Sequence, residues 1–261
     1  MAGNSRQTPP LTRYWRRSKL PAYSLALVLP MLLFYEIGII FVHHTMQAKH
    51  GYRWSDTSDW LIRRFMGGLL GLVGWHGFFM SGVLIAAVLV VWQVASRRSW
   101  EVRLGTLLAM LAESVLLATA LALLAVLVLD PLLRPMGMSK SLPFLESERF
   151  REIVFSVGSG VYEEFVFRFV GVSVLAFIVT GVFGVKWRTG AVVGIVVSAL
   201  LFAWMHYVGS VAWTFTWSSF ISRAVAGAFF GLVFVHRGFG IAAGTHVMYN
   251  LLCDLFYVLF V

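Results

Sequence analysis

The sequence predicts an all-α, polytopic integral membrane protein with seven or eight transmembrane helices. Hydrophobic residues make up 59% of the 261 positions, and the mean hydropathy is +0.81, which excludes an ordinary soluble domain. Several apolar runs reach the roughly 20 residues that a helix needs to cross a bilayer. Isolated strands cannot satisfy their backbone in lipid, and the sequence has no alternating barrel pattern, so we expect helices throughout.

Each apolar run predicts at least one membrane-spanning helix. Six runs predict one span each, near residues 22–43, 75–96, 105–129, 190–209, 218–235 and 240–260. A seventh run, over 150–185, is too long for one ordinary span, so it forms either one long tilted helix or two helices that break near Arg168–Gly171. The first run is not a cleavable signal peptide, because it is too long for the hydrophobic region of one and contains Glu36.

The polar segments between the runs do not create a second domain. Residues 1–20 are predicted to be a flexible basic tail, and 21–149 to hold the N-terminal transmembrane helices. A stretch with opposed apolar and charged faces predicts a helix at the membrane interface near 57–74. The chemical motifs all lie in 150–261, so we expect one membrane domain whose C-terminal part forms a helical core around the site.

The basic residues behind the net charge of +9 are distributed as in a membrane protein, so the charge does not indicate nucleic-acid binding. Basic residues precede the first span and fill the short loop after the second, as the positive-inside rule expects of the cytoplasmic side. These residues are Arg6, Arg13, Arg16, Arg17, Lys19, Arg97, Arg98 and Arg103. Lys186, Arg188 and Arg237 join this side only if 150–185 crosses once. We predict a cytoplasmic N-terminus and the lipid bilayer as a partner, and the short chain without organelle-retention signals favours a prokaryotic plasma membrane.

The pair Glu163-Glu164, followed by Arg168, lies in a stretch with almost no other charge. An ionisable group at membrane depth costs about 3 kcal/mol on insertion scales, so such groups persist mostly where they have a function. On a helix, Glu164 and Arg168 are at i,i+4 with the acid first, the favourable order for an ion pair. Glu163 lies about 100° further round the helix, outside that pair. Two interpretations remain: chemistry at Glu163, or a structural salt bridge with a second acid that faces a polar cavity.

Two histidines lie in later spans. Phe202 and His206 share a helix face at i,i+4, and so do His246 and Asn250. A single histidine in a membrane helix usually makes an interhelical hydrogen bond, whereas two histidines with an acidic pair and an amide indicate a site. His206 lies late in its span and His246 lies early in a span of the same direction, so helix tilt must bring them level.

Together these groups suit hydrolysis without a covalent intermediate. A glutamate and a histidine can share a water and remove its proton, while a histidine and an asparagine can donate hydrogen bonds to an oxyanion. The sequence has no serine nucleophile elbow and no His-Glu-x-x-His motif, and its single cysteine, Cys253, excludes an internal disulfide and a cysteine-based metal cage. Glu163, His206 and His246 could ligate zinc with water as the fourth ligand, but their spacing does not require it, so we predict no cofactor.

The motifs Glu-Glu-x-x-x-Arg (163–168), Phe-x-x-x-His (202–206) and His-x-x-x-Asn (246–250) follow one another on successive hydrophobic helices. In this order they resemble the CaaX protease and bacteriocin-processing (CPBP) family, glutamate-type intramembrane endopeptidases that include the type II CaaX prenyl proteases. The resemblance covers about 150–261. It implies a polar catalytic cavity among the helices, with a membrane-associated protein or peptide as substrate, such as a prenylated tail, a leader or a sorting tail.

The resemblance also implies a role for each motif residue. Glu163 resembles the base that activates water, assisted by His206, and His246 and Asn250 resemble the oxyanion donors. The supporting residues that would orient or pack this site are Glu164, Arg168 and Phe202.

Two other classes of function fit the same motifs. A membrane scaffold or immunity-type protein would keep them for structure, and its function would survive Glu163→Gln. A proton- or ion-coupled transporter would use the buried acids and histidines as a relay, but the sequence lacks the repeated halves with matched broken helices that are typical of transporters.

Three further acids in apolar runs are expected to be structural. We expect Glu36 and Glu113 to pair with a basic or polar group on a neighbouring helix, and Asp254 to brace the last helix.

Overall fold

The computed structural model describes residues 10–50, 80–133, 149–208 and 214–260, and the regular structure in these ranges is entirely helical. The helices in these ranges are α1 (Pro10–Arg17), α2 (Pro21–His50), α3 (Met80–Ser96), α4 (Leu104–Leu133), α5 (Arg149–Phe183), α6 (Trp187–Met205), α7 (Trp217–Arg237) and α8 (Phe239–Phe260). Among the described residues, five segments are long and apolar enough to cross a membrane, namely Pro21–Val42 and the whole of α4, α5, α6 and α7. The apolar part of α3, Gly82–Ser96, is shorter.

The all-helical prediction is confirmed, and each predicted span contains a described helix. The apolar run over 150–185 corresponds to α5, one helix of 35 residues (Arg149–Phe183) rather than two. At 1.5 Å per residue, α5 is about 52 Å long, so it must tilt or extend beyond the roughly 30 Å hydrocarbon layer. The predicted interfacial helix near 57–74 lies outside the described residues.

Part of the segment predicted as a flexible tail is helical. Residues 1–9 lie outside the described ranges, but Pro10–Arg17 form α1, which docks on α4 and α7. Arg237 donates to Glu113 from Nε to Oε1 at 2.5 Å and from Nη2 to Oε2 at 2.7 Å, and the Tyr14 hydroxyl donates to the same carboxylate. The Arg237 guanidinium also lies over the ring of Trp15, with Cζ 3.9 Å from the centroid. Glu113 thus makes the interhelical pair expected of it, and this pair anchors α1.

Burial also favours the hydrogen bond between Tyr14 and Glu113. It raises the pKa of the Tyr14 phenol, and the hydrogen bond to Glu113 acts in the same direction. The phenol therefore stays protonated, as a donor to a carboxylate must be.

The outer surface of the helices is apolar, as contact with lipid requires. Large side chains stay exposed there, among them Leu116 at 70%, Phe177 at 74% and Phe183 at 71%. Exposed apolar surface on this scale is not found on soluble monomers, so it supports an integral membrane protein.

Helices α2, α3 and α5 meet around a half-buried acid, Glu36. Glu36 Oε1 accepts hydrogen bonds from the Tyr162 hydroxyl at 2.7 Å and from the backbone N–H of Gly82 at 2.9 Å. Tyr35 packs edge-on against Tyr162, with ring centroids 5.2 Å apart. Glu36 thus has the interhelical polar partner expected of it, and α5 is fixed next to Glu163.

Close helix contacts set the positions of the remaining elements. A Cβ at Gly160 would lie 2.8 Å from the backbone nitrogen of Val247, so α5 and α8 touch along their backbones there. In α6 and α7, Ile195 faces Gly231 and Ala199 faces Gly227, so these helices are antiparallel. Gly238, at φ +87°, makes the turn from α7 into α8, which therefore runs in the same direction as α6.

Candidate active site

The site begins at a wide turn within α5. Residues Glu164–Val172 are π-helical, a local widening that is often found at functional sites. Ser198 of α6 donates from Oγ to the backbone carbonyl of Phe167 at 2.5 Å, which gives one carbonyl of this turn a partner outside the helix. A Cβ at Gly194 would lie 2.9 Å from the carbonyl oxygen of Val172, so only a glycine lets α6 approach the turn this closely.

Glu164 is the centre of a buried charge cluster. Its Oε1 lies 3.0 Å from Arg168 Nη1 in an ion pair and accepts a hydrogen bond from His246 Nδ1 at 2.8 Å. Glu164 and Arg168 are both fully buried. The i,i+4 pair that the spacing predicts is therefore present, and it also holds the histidine of α8.

The guanidinium of Arg168 makes further contacts with α6 and α7. Its Nη2 donates to the backbone carbonyl of Gly227 at 3.2 Å, and its Cζ lies 4.4 Å from the ring centroid of Phe202. A buried charge pair is stable only where such additional contacts offset desolvation. Arg168 therefore ties α5, α6 and α7 together at the site.

Glu163 approaches the other nitrogen of the same imidazole. Its Oε2 lies 3.6 Å from His246 Nε2, longer than a hydrogen bond, and about a tenth of its side chain (11%) stays exposed. His246 thus lies between two carboxylates, one at each ring nitrogen. If the imidazole is protonated, Glu163, Glu164, Arg168 and His246 carry two negative and two positive charges, and the buried cluster is balanced.

Aromatic rings restrain the orientation of His246. Phe230 of α7 stacks on it with ring centroids 4.2 Å apart and an interplanar angle of 16°. Phe202 of α6 packs edge-on at 5.9 Å. The ring is therefore held with one nitrogen toward each carboxylate.

His206 follows directly after α6. Its Nδ1 lies 2.8 Å from the backbone carbonyl of Phe202, and the two rings are 4.9 Å apart, so the predicted contact is present. A carbonyl only accepts, so Nδ1 carries the proton and the neutral ring keeps a lone pair on Nε2. Side chains lean toward the N-terminus of their helix, so Phe202 and His206 reach back toward His246. The ring of Phe202 contacts both imidazoles, which answers how a late and an early histidine can share one site.

Asn250 lies one turn beyond His246 and contacts α5. Its Nδ2 donates to the backbone carbonyl of Ser156 at 3.2 Å and to Ser159 Oγ at 3.1 Å. The Ser156 hydroxyl also bonds to Asp254 Oδ2 at 2.5 Å, so Asp254 braces the last helix as expected. Both hydrogens of the Asn250 amide are thus directed to α5, although the side chain also borders the cavity described next.

A cavity of about 440 Å³ borders the cluster. His206, His246 and Asn250 line it together, with apolar side chains from α4 and polar ones from α7. The α4 and α7 residues that shape it include Leu121, Ala125, Ser218, Ser222 and Arg223. Glu163 is not among the lining residues, but its Oε2 lies 3.6 Å from Nε2 of His246, which is one of them.

Two residues of the site were not found by sequence reasoning. Phe230 is one apolar residue in an apolar helix, so no sequence pattern distinguishes its stacking on His246. Arg223 is different, because it is an ionisable residue in an apolar run. The principle that singled out Glu163 at membrane depth would have singled out Arg223 as well.

The described residues contain no group of three or more His, Cys, Asp and Glu side chains arranged to hold a metal ion. Glu163, His206 and His246, considered above as zinc ligands, accordingly do not form such a group here.

Fold and site together define a membrane-embedded helical protein with a glutamate–histidine cluster at a polar cavity. A family model described as type II CAAX prenyl endopeptidase Rce1-like matches residues 148–252, which hold all three motifs. This match is consistent with the CaaX protease family, so it confirms the resemblance and supports a peptidase at the level of the family. Comparisons with curated proteins and with solved structures found no match.

Proposed function

We propose that the protein is an intramembrane endopeptidase that hydrolyses a peptide bond of a membrane-associated protein or peptide. The observation that carries the proposal is the buried cluster of Glu163, Glu164, Arg168 and His246 beside a cavity that His206 also lines. A structural salt bridge needs neither the second carboxylate nor two imidazoles at one cavity. Charged and titratable groups that converge on a cavity are typical of active sites.

In this mechanism Glu163 takes a proton from a water molecule, and His206 Nε2 accepts a hydrogen bond from the same water. The water oxygen forms a bond to the substrate carbonyl carbon, and the electron pair of the carbonyl double bond moves to its oxygen. When the tetrahedral intermediate collapses, the C–N bond breaks and the leaving amine takes the proton from Glu163. The products are a carboxylic acid and an amine, and no covalent enzyme intermediate forms.

Preorganised donors would stabilise the oxyanion of this intermediate. His246 donates from Nε2 while Glu164 and Arg168 hold its ring in place, so these two residues position the site without touching the substrate. Asn250 adds its amide once one of its two hydrogen bonds to α5 is exchanged for the oxyanion. Removal of one such donor typically lowers kcat by about 100- to 1,000-fold.

The test is cleavage of a fluorogenic peptide panel by the purified, detergent-solubilised protein. The panel includes prenylated CaaX peptides, leader peptides and sorting-tail peptides, and each reaction is run with and without a zinc chelator. Wild type is compared with Glu163→Gln and His206→Ala, and with Glu101→Gln as a matched change at an exposed acid outside the site. All variants are first checked for folding by size-exclusion chromatography and thermal unfolding.

We expect cleavage to fall by at least about 100-fold in Glu163→Gln and His206→Ala and to stay unchanged in Glu101→Gln. Indifference to the chelator would support glutamate chemistry, whereas chelator sensitivity would overturn the metal-free mechanism. Full activity of folded Glu163→Gln protein would refute the proposed base. A folded wild-type protein that cleaves no peptide, with a cellular function that survives Glu163→Gln, would favour a scaffold.

A further inference from the structure

We propose that helix α1 lies in the headgroup layer of the membrane and binds anionic phospholipids through Arg13 and Arg16. This surface is separate from the cavity of the proposed peptidase and does not depend on that function. The two faces of α1, the contacts that hold the helix and the charges around it all point to such a partner.

Helix α1 has an apolar face and a basic face. At about 100° per residue, its apolar and aromatic side chains fall within a sector of about 100°, and its arginines fall outside that sector. The apolar and aromatic residues are Leu11, Tyr14 and Trp15, and the basic ones are Arg13, Arg16 and Arg17. A helix with Trp and Leu on one face and Arg on the other is typical of segments that lie in the plane of the membrane interface.

The helical bundle covers only part of the apolar face. Tyr14 is directed to α4, where its hydroxyl donates to Glu113. Leu11 remains 73% exposed and Trp15 remains 49% exposed, although the Arg237 guanidinium covers one side of the Trp15 ring. Two apolar side chains of α1 are therefore left for a partner outside the bundle.

Lipid reaches the part of the bundle on which α1 docks. In α4, Leu104 and Leu108 lie N-terminal to Glu113 and are largely exposed, as side chains that face acyl chains are. Leu11 and Trp15 can enter the same layer, and Trp is common at the boundary between acyl chains and headgroups. The exposed apolar side chains of α1 thus fit a lipid.

Backbone hydrogen bonds fix α1 to the end of the bundle at which α2 begins. The Ser18 N–H donates to the Tyr14 carbonyl at 2.9 Å, and the Leu20 N–H donates to the Arg17 carbonyl at 2.9 Å, so a tight turn joins the two helices. A helix of eight residues is too short to be stable alone in water, so this turn and the contact with Glu113 hold it. The arginines of α1 are therefore kept at one end of the molecule.

The loop between α3 and α4 lies at the same end. Gln93 Oε1 accepts a hydrogen bond from the Ala22 N–H at 2.9 Å, and Gln93 Nε2 donates to the Arg98 carbonyl at 2.9 Å. The Arg103 N–H donates to the Tyr23 hydroxyl at 3.3 Å. Because Ala22 and Tyr23 belong to the first turn of α2, the loop adds its exposed arginines to those of α1.

The positive charge at this end exceeds the negative charge in the described part of the chain. The acids there are Glu101 and Glu113, and each is already paired with an arginine. Glu101 lies 2.9 Å from Arg103, and Glu113 lies 2.5 Å from Arg237. An anionic partner is therefore the complement of this surface.

Arg13 and Arg16 are the residues of α1 that are best placed to bind this anion. Both are exposed, and their i,i+3 spacing puts their Cβ atoms about 5–6 Å apart. The planar fork of a guanidinium matches the oxygens of a phosphate. An anionic phospholipid supplies a phosphate for these arginines and acyl chains for Leu11 and Trp15. The predicted cytoplasmic leaflet also carries a negative surface potential that attracts basic segments.

The experiment measures lipid binding to the full-length, detergent-solubilised protein by native mass spectrometry. Phosphatidylglycerol and phosphatidylcholine with identical acyl chains are titrated separately, and the Kd of the first bound lipid is determined. Wild type is compared with Arg13→Gln/Arg16→Gln and with Arg13→Lys/Arg16→Lys. The matched control is Lys186→Gln/Arg188→Gln, which removes the same charge from two exposed residues beside α6. All variants are first checked for folding by size-exclusion chromatography.

We expect wild type to prefer phosphatidylglycerol and the glutamine pair on α1 to weaken its binding by about 30-fold, or about 1 kcal/mol for each arginine. Binding of phosphatidylcholine should stay unchanged, the lysine pair should keep most of the preference because it keeps the charge, and the control pair should have a clearly smaller effect. Equal affinity of wild type for the two lipids would overturn the proposal. Equal effects of the α1 pair and the control pair would also overturn it, because the protein would then respond only to its total charge.

A second measurement tests the position of α1 in the membrane. Nitroxide labels are attached to Leu11→Cys and to Thr12→Cys, in a Cys253→Ser background, and the protein is reconstituted into vesicles of phosphatidylcholine and phosphatidylglycerol. The two positions are about 100° apart on the helix. By power saturation, the label at position 11 should be more accessible to oxygen, which concentrates in lipid, and the label at position 12 more accessible to a water-soluble nickel chelate. High accessibility of both labels to nickel would place α1 in water and would refute the lipid contact in favour of a protein partner.

Discussion

At the residue scale, the site depends on charges that are buried and mutually dependent. Glu164 faces both Arg168 and His246, and none of the three has more than 4% of its surface exposed. A buried charge left without its counterion is more destabilising than the loss of the pair as a whole. The two members of the ion pair therefore should not behave as independent residues.

Glu164→Gln and Arg168→Met should each lower the free energy of unfolding by about 3–5 kcal/mol, because each leaves the other charge buried alone. The double variant should lose clearly less than the sum of the two. Thermal and denaturant unfolding in detergent would measure this coupling. Strict additivity of the two changes would show that the ion pair does not act as a unit.

Asn250 allows a second residue-scale prediction, because its amide hydrogens go to α5. Ser159→Ala removes one acceptor, so it should cost about 1 kcal/mol of stability and leave the amide available to an oxyanion. We expect Ser159→Ala to keep peptidase activity and Asn250→Ala to lose it. Activity and thermal unfolding of both variants would be measured side by side. Loss of activity in Ser159→Ala would indicate that Asn250 holds α8 against α5 and does not act as an oxyanion donor.

The individual residues could be predicted to different degrees. The Glu164–Arg168 pair follows from the spacing, because it is local and depends only on helix geometry. The contact of His246 with both glutamates joins α5 to α8 across more than 80 positions, so no local pattern contains it. The same holds for Phe230, whose role depends on which helix face meets His246.

At the element scale, the π-helical turn in α5 explains why the sequence was compatible with either one long helix or two helices over 150–185. Arg168 and Gly171, where a break was considered, both lie in the π-helical segment, so the local departure from a regular helix is real but does not end the helix. Ser198 and Gly194 of α6 pack directly on this turn. The packing of α6 on this turn, which hydropathy does not reveal, therefore accompanies one continuous helix instead of two.

Two glycine-to-alanine substitutions test whether α6 must pack closely on the π-helical turn of α5. Gly194→Ala places a Cβ 2.9 Å from the Val172 carbonyl oxygen, and neither backbone can yield easily, so stability should fall by about 1–3 kcal/mol. Gly181→Ala, in the exposed last part of α5 with no other atom within 4 Å, should be neutral or slightly stabilising. Unfolding midpoints of both variants would be compared, and equal midpoints would mean that the turn does not need this close contact.

At the scale of the whole molecule, hydropathy predicted where the helices lie but not how they align. The turn at Gly238 places α8 beside α7 with Phe230 opposite His246, and the backward lean of Phe202 and His206 completes the site. These are tertiary relations between helices. Docking of α1 was likewise not predictable, because Tyr14 and Trp15 lie in a segment whose composition indicates a polar tail.

The structure also determines which charges share one end of the molecule. Because α5 is one continuous helix and α6 is antiparallel to α7, the basic residues beside α6 and α7 lie at the N-terminal end of the bundle. These residues are Lys186, Arg188 and Arg237. With Arg97, Arg98 and Arg103 they strengthen the prediction that this end is cytoplasmic. The ends of α6 and α7 that border the cavity then lie on the other side of the membrane.

This orientation can be tested with single cysteines in a Cys253→Ser background, since Cys253 is the only native cysteine. In intact bacterial cells, a membrane-impermeant maleimide should label Phe215→Cys, next to the start of α7, and should label Lys186→Cys only after permeabilisation. The reverse pattern would place the N-terminus outside. The result bears on the substrate, because a cavity near the outer face suits exported leader or sorting peptides, and a cavity near the cytoplasmic face suits prenylated tails.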